Sequence, residues 1–233
     1  VNENFATTRW SLVLRASHDA ASPALADLCE RYWLPLYAFA RCKCHSLHEA
    51  QDLTQGFFVE LLERDLLQRA DPSRGRFRTF LLASFQHFLS HHWQRQRAAK
   101  RGGGRLPLSL DFRWADSHLA HEPATQETPE QRFERLWALQ LLDAALEGVK
   151  LRYRTRGQQR VFDALKPFMV GEGDRPLAHA ASELGISEGA AKVALHRLRS
   201  RYREALRAEI AGTLDNRDEI DDEIRRLFAA VSK

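Results

Sequence analysis

Apolar residues recur three and four positions apart along almost the whole chain, and runs of Val, Ile and Thr that alternate as a strand would are few. Only a 3.6-residue period brings such positions onto one face, so this rhythm restricts the fold to helices packed on helices. The expected class is all-α. At 233 residues the chain is long for one helical domain and comfortable for two. With 44% hydrophobic and 28% charged residues, each half can bury a core.

Breakers and caps place the boundaries. Pro23, after Ser22 as N-cap, opens a helix carrying Leu25, Leu28, Tyr32, Leu36 and Phe39, in which Pro35 is expected to produce a bend or a break. A second amphipathic helix runs from Leu47 or His48 to Leu66, with Leu53, Phe57, Val59, Leu61 and Leu62 as its apolar positions. The cluster Asp71-Pro72-Ser73-Arg74-Gly75 ends it. A third helix from Arg76 carries Phe77, Phe80, Leu81, Phe85, Phe88 and Trp93, turns basic, and stops at Gly102, Gly103 and Gly104. Three prolines and no sustained period between Arg105 and Pro129 read as a flexible linker whose reach matters more than its shape. The expected layout is an N-terminal extension at 1–22, a helical domain at 23–104, a linker at 105–130, a second helical domain at 131–212 and an acidic extension at 213–233.

Net charge is +4, and its distribution says more than its size. Five Arg or Lys and no acid lie between His91 and Arg105, and six against one acid between Lys192 and Arg207. From Leu214 to Ile224 six acids face one Arg. Two basic patches and an acidic tail suit a polyanionic partner.

From Leu177 to Leu206 the chain reads LAHAASELGISEGAAKVALHRLRSRYREAL, which has the offsets of a helix-turn-helix. Ala181 lets two helices approach, Gly185 takes the left-handed turn, Ile186 plugs the corner and Ser187 caps the second helix. Ala191, Leu195, Leu198 and Tyr202 supply that helix's core face, leaving Lys192, His196, Arg197, Arg199, Ser200 and Arg201 for a major groove and its phosphates. An ordinary solvated surface helix is the competing reading. In the earlier patch most of the Phe residues belong to the core, with His87, His91, Trp93 and Arg95 onward turned to unpaired nucleic acid.

Three cysteines make an odd number without a disulfide framework and fit a reducing cytoplasm. No apolar run is long enough to span a membrane, and the opening lacks the pattern of a signal peptide, so a cytoplasmic protein is expected. Cys42, Cys44, His45 and His48 crowd four metal-binding side chains into seven residues. Their spacing lacks the gap between thiolates that zinc sites use, and the expected reading is a helix end and turn with no metal. Carboxylates are absent from Arg76 to Arg105, and no phosphate loop, nucleophile elbow or HExxH occurs. No catalytic residue and no cofactor are therefore expected.

The segment ALADLCERYWLPLYAFARCKCHSLHEAQDLTQGFFVELLERDLL resembles the second region of the extracytoplasmic-function sigma factors of bacterial RNA polymerase. GRFRTFLLASFQHFLSHHWQRQRAAKR is similar to the part of that region which holds the −10 element as a single strand. SEGAAKVALHRLRSR resembles the fourth-region recognition helix, with Val193 and Ala194 where the family has a polar pair. That replacement would shift −35 contacts towards thymine methyl groups. The resemblance implies a protein without a catalytic site, whose partners are the clamp helices and flap of core RNA polymerase, promoter DNA, and an anti-sigma or other regulatory protein. It assigns polymerase docking to Asp52, Gln55 and Phe58 and −10 contact to His87, His91, Trp93, Arg95, Arg97, Lys100 and Arg101. The −35 contact falls to Ser187, Lys192, His196, Arg197, Ser200 and Arg201. The opening Phe5-Ala6-Thr7-Thr8-Arg9-Trp10-Ser11 and the tail beyond Gly212 look like a less typical branch of the group. The tail is expected to form a short helix with Ile220, Ile224, Leu227 and Phe228 on one side. It either packs on the second domain or covers a basic DNA-binding face. A helix-turn-helix regulator that never replaces the sigma subunit is the alternative function.

Overall fold

The computed structural model describes residues 23–63, 66–71, 75–98, 110–120, 126–169, 176–211, 213–214 and 217–232. Among them the chain is all-helical, with no strand and no helix long and apolar enough to cross a membrane. The α-helices are α1 (Pro23–Lys43), α2 (Leu47–Glu63), α3 (Phe77–Ala98), α4 (Phe112–Ala120), α5 (Pro129–Thr155), α6 (Gln159–Leu165), α7 (Leu177–Leu184), α8 (Glu188–Ala211) and α9 (Ile220–Val231). Two compact units result, one from Ala6–Gln140 with Ala211–Lys233, the other containing Leu141–Ile210, and the division falls inside α5. The first unit thus takes in the start of α5 and the C-terminal segment as well as the three opening helices.

In that unit α1 is central, with every residue from Tyr32 to Ala40 buried. Pro35 lies inside it, yet the helix continues to Lys43. The ring removes one backbone hydrogen bond, and apolar burial on both sides of it holds the helical path. Ser46 and Glu49 form the cap of α2: the Glu49 backbone N–H donates to Ser46 Oγ at 3.1 Å, and the His45 N–H to Glu49 Oε2 at 3.0 Å. Phe77, Leu81, Phe85 and Leu89 recur every four residues as the buried stripe of α3. The Phe85 ring lies 4.9 Å from that of Phe57 on α2 and 6.0 Å from that of Phe39 on α1. Gly56 permits this approach, because a Cβ there would stand 3.3 Å from the Phe88 ring.

Part of the expected linker is structured. Helix α4 packs on α1 through Phe112, whose ring is 4.9 Å from Tyr37 and 5.8 Å from Trp33. Asp116 then accepts hydrogen bonds from Tyr37 Oη (2.6 Å), Arg41 Nη1 (2.5 Å) and Gln51 Nε2 (3.2 Å), tying α4 to α1 and α2. Nine residues carry both contacts, too short a stretch for a period to stand out in the sequence. Helix α5 opens on a reciprocal cap, with Thr128 Oγ1 accepting from the Gln131 N–H and Gln131 Oε1 from the Thr128 N–H.

The tail forms the expected helix, α9, but its partners lie in the first unit, not in the second domain. Ile220, Leu227 and Glu223 are buried, and Glu223 is 0% exposed. Its carboxylate pairs with Arg76 Nε at 2.8 Å and with Arg78 Nη1, while Arg78 Nε also reaches Glu134 Oε2 at 2.8 Å. The Arg78 guanidinium lies 4.1 Å over the Trp137 ring. Burial pulls both arginines towards neutrality. Glu134 and Glu223 more than reverse this for Arg78, so its proton is held more tightly than usual, whereas Arg76 remains lowered. One acid of the tail, Glu223, therefore serves an internal charge cluster. Phe228, expected on the apolar side, is 48% exposed.

In the unit containing Leu141–Ile210, Tyr153, Phe162, Leu165, Phe168, Ala191 and Leu198 are among the buried residues. Gly157, with φ of 67°, turns the chain out of α5, so the Gln158 N–H can return to the Tyr153 carbonyl at 2.8 Å.

Candidate nucleic-acid interface

Helices α7 and α8 follow each other across the tight turn that the spacing predicts. Gly185 has φ of 65°, and the Ile186 N–H closes back on the Ala181 carbonyl at 3.0 Å. Ser187 Oγ accepts the Ala190 N–H at 3.2 Å and so caps α8. Ala180, Ala181, Ala191, Leu195 and Leu198 are the buried residues of the corner. Ile186 does not plug this turn as expected: its side chain is 38% exposed.

Lys192, Val193, His196 and Arg197 are exposed at offsets that place them on one face of α8. Val193, 51% exposed, is the apolar member of this otherwise basic strip. Lys192 pairs with Glu188 at 2.8 Å across one exposed turn, a contact of small strength. Other predicted contacts have internal partners. Arg199 Nη2 donates to the Phe168 carbonyl at 2.6 Å, Arg201 lies 5.0 Å over the Tyr153 ring, and Ser200 Oγ donates to Glu204 at 3.2 Å. Ser187 is committed to its cap. Tyr202 donates to the Leu142 carbonyl at 3.3 Å, and burial followed by the Asp143 charge pushes its phenol up to about 12. Arg199 is exposed as well but tied to the Phe168 carbonyl, which leaves Lys192, His196 and Arg197 as the exposed predicted side chains on the Val193 face.

On the first unit, Asp52 is exposed and faces His48 across one turn at 3.7 Å, while Gln55 is half-buried on the same side of α2. Phe58 corrects the expectation of a docking contact. It is 0% exposed, with its ring 5.9 Å from Phe57, and belongs to the core. His87, His91 and Arg95 are exposed along one side of α3. Trp93 is half-buried and donates its Nε1–H to Glu49 Oε1 at 3.2 Å, which ties the basic end of α3 to the cap of α2. Lys100 and Arg101 lie outside the described residues, as does the side chain of Arg97. A cavity of about 340 Å³ adjoins this face, lined by Glu60, Leu66, Arg69, Phe80, Ser84, His87 and Phe88 among others.

Cys42 and His45 are exposed and Cys44 is half-buried. Burial, helped by the nearby Glu49 charge, pushes the Cys44 thiol up to about 12, the reverse of a metal-binding thiolate. No group of three or more His, Cys, Asp or Glu among the described residues is arranged to hold a metal ion.

Sequence reasoning passed over Arg76, Arg78, Asp116 and Glu223. A signal existed for Arg78, which stands beside Phe77 and three residues before Leu81, on the edge of the buried stripe. No local pattern reports Glu223, since its partners lie about 145 residues earlier. No protein-family model matches the chain, and no curated protein or solved structure shows a significant match to it.

Proposed function

We propose that the chain is a sigma factor of the extracytoplasmic-function type, which binds core RNA polymerase and directs promoter-specific initiation without a catalytic site of its own. The observation that carries this reading lies in the first unit. Helix α2 carries exposed Asp52 beside half-buried Gln55, α3 turns His87, His91 and Arg95 outward, and Glu49 links the two helices through Trp93. A docking face and a strand-binding face on one small core suit a subunit that must grip polymerase and melted DNA together. The helix-turn-helix supplies the second anchor. Lys192, His196 and Arg197 meet the −35 groove and phosphates, and Val193 offers an apolar contact to a thymine methyl group.

Reconstituted transcription tests the reading. With core polymerase and a promoter selected by the holoenzyme, the chain should yield open complexes, and Asp52→Ala with Gln55→Ala should weaken polymerase binding without unfolding the chain. A chain that footprints an operator alone and never replaces the sigma subunit would instead be a regulator, and this proposal would fall.

A further inference from the structure

On the exposed side of α3, His87 and His91 stand one turn apart with ring centroids 4.3 Å apart, planes at 85°, and the two Nε2 atoms 3.0 Å from each other. Among the described residues neither imidazole has a carboxylate partner. Without an ion this is a hydrogen bond, one ring donating its Nε2–H to the other; with both protons moved to Nδ1, the same separation suits two lone pairs on one ion. An ion at the usual imidazole bond length of roughly 2.0–2.1 Å from both would see them at an angle of about 94°. That is close to the right angle between neighbouring ligands of a tetragonal ion and well short of the tetrahedral angle zinc favours. We infer that His87 and His91 form a two-imidazole chelate for a divalent first-row cation, with Cu(II) and Ni(II) preferred to Zn(II).

Three features support this pair over the other histidines. The helix fixes the two Cα positions, so only side-chain torsions need ordering when the ion binds. The nitrogens at issue are both Nε2, which leaves each Nδ1 turned away from the ion and able to carry the proton of the neutral ring. The site is open on its solvent side, so water or a donor atom from another molecule can complete the coordination shell. By contrast His48 faces Asp52, and His118 stacks on Trp114 with ring planes at 12°. The chelate needs α3 alone and stands whether or not the chain binds polymerase.

The test is calorimetric titration of the full chain with NiCl₂, repeated with ZnCl₂, on the parent protein and on His87→Ala, His91→Ala and His92→Ala. The tightest Ni(II) site should weaken by at least ~10-fold in either of the first two variants, persist in His92→Ala, and bind Zn(II) less tightly. The first two substitutions remove exposed side chains, and circular dichroism checks that each variant remains helical. Unchanged Ni(II) affinity in His87→Ala or in His91→Ala would overturn the site, as would its loss in His92→Ala alone. A site taking Zn(II) more tightly than Ni(II) would overturn the tetragonal geometry.

Discussion

Helices α3 and α8 are both rich in basic side chains, but they divide them differently between interior and surface. Helix α3 separates the roles along its length: Arg78 is buried near its start, with Arg76 just before, and His87, His91 and Arg95 are exposed towards its end. Helix α8 alternates them around its circumference. Lys192, His196 and Arg197 are exposed, whereas Arg199, although exposed, is bonded to the Phe168 carbonyl and Arg201 lies half-buried over the Tyr153 ring. The difference teaches that a count of arginines does not measure a nucleic-acid surface. A guanidinium already satisfied by its own fold must break that contact before it can meet a phosphate.

The contrast can be broken most severely at Glu223. Glu223→Ala leaves Arg76 and Arg78 without their shared buried partner and should destabilise the first unit by about 3–5 kcal/mol in urea unfolding followed by tryptophan fluorescence. A loss below ~1 kcal/mol would mean that these arginines are not held as described. Asp116→Ala comes next. Removing the acceptor shared by Tyr37, Arg41 and Gln51 should cost about 1.5–3 kcal/mol by the same measurement.

On α8 the sharper experiment compares neighbours. Arg199→Ala should lower stability by about 1–2 kcal/mol, through loss of its bond to the Phe168 carbonyl. Arg197→Ala should change stability by no more than ~0.5 kcal/mol while reducing the salt slope of promoter binding by about one. If the two variants exchange these behaviours, this division of the basic residues of α8 is wrong.

A buried thiol adds an effect that depends on pH. Burial raises Cys29 from its ordinary 9.0 to about 12, so the unfolded chain releases this proton first as pH rises. The stabilising contribution is complete below pH 9.0 and is lost as pH climbs towards about 12. The denaturation midpoint of the parent protein should therefore fall between about pH 8.5 and 10.5 by more than that of Cys29→Ala. Equal slopes would refute the assignment.

Local chemistry decided what the sequence could reveal. The turn at Gly185, the cap at Ser187 and the Ala191, Leu195 and Leu198 face were legible because each depends on neighbours within a few residues. Phe58 was misplaced because two adjacent Phe residues do not say which faces outward, and packing buried both. Helix α4 was hidden because its anchors, Trp33, Tyr37 and Gln51, lie far upstream. Charge reversal in the tail was visible, but net charge cannot tell which acid will be buried or against which arginine. Among the proposed −35 contacts, the inward turn of Arg201 depends on where α5 puts the Tyr153 ring.

The Glu223 cluster also bears on how the chain is made. Synthesis proceeds from the N-terminus, so Arg76 and Arg78 leave the ribosome about 145 residues before the buried carboxylate they share. At roughly 5–20 residues per second the delay is on the order of ten seconds. Throughout that interval the first unit lacks its final helix, and the two guanidinium groups remain hydrated or borrow other acids. Completion of this early-emerging core therefore waits for α9, and a chain cut short before α9 stays at that unfinished stage.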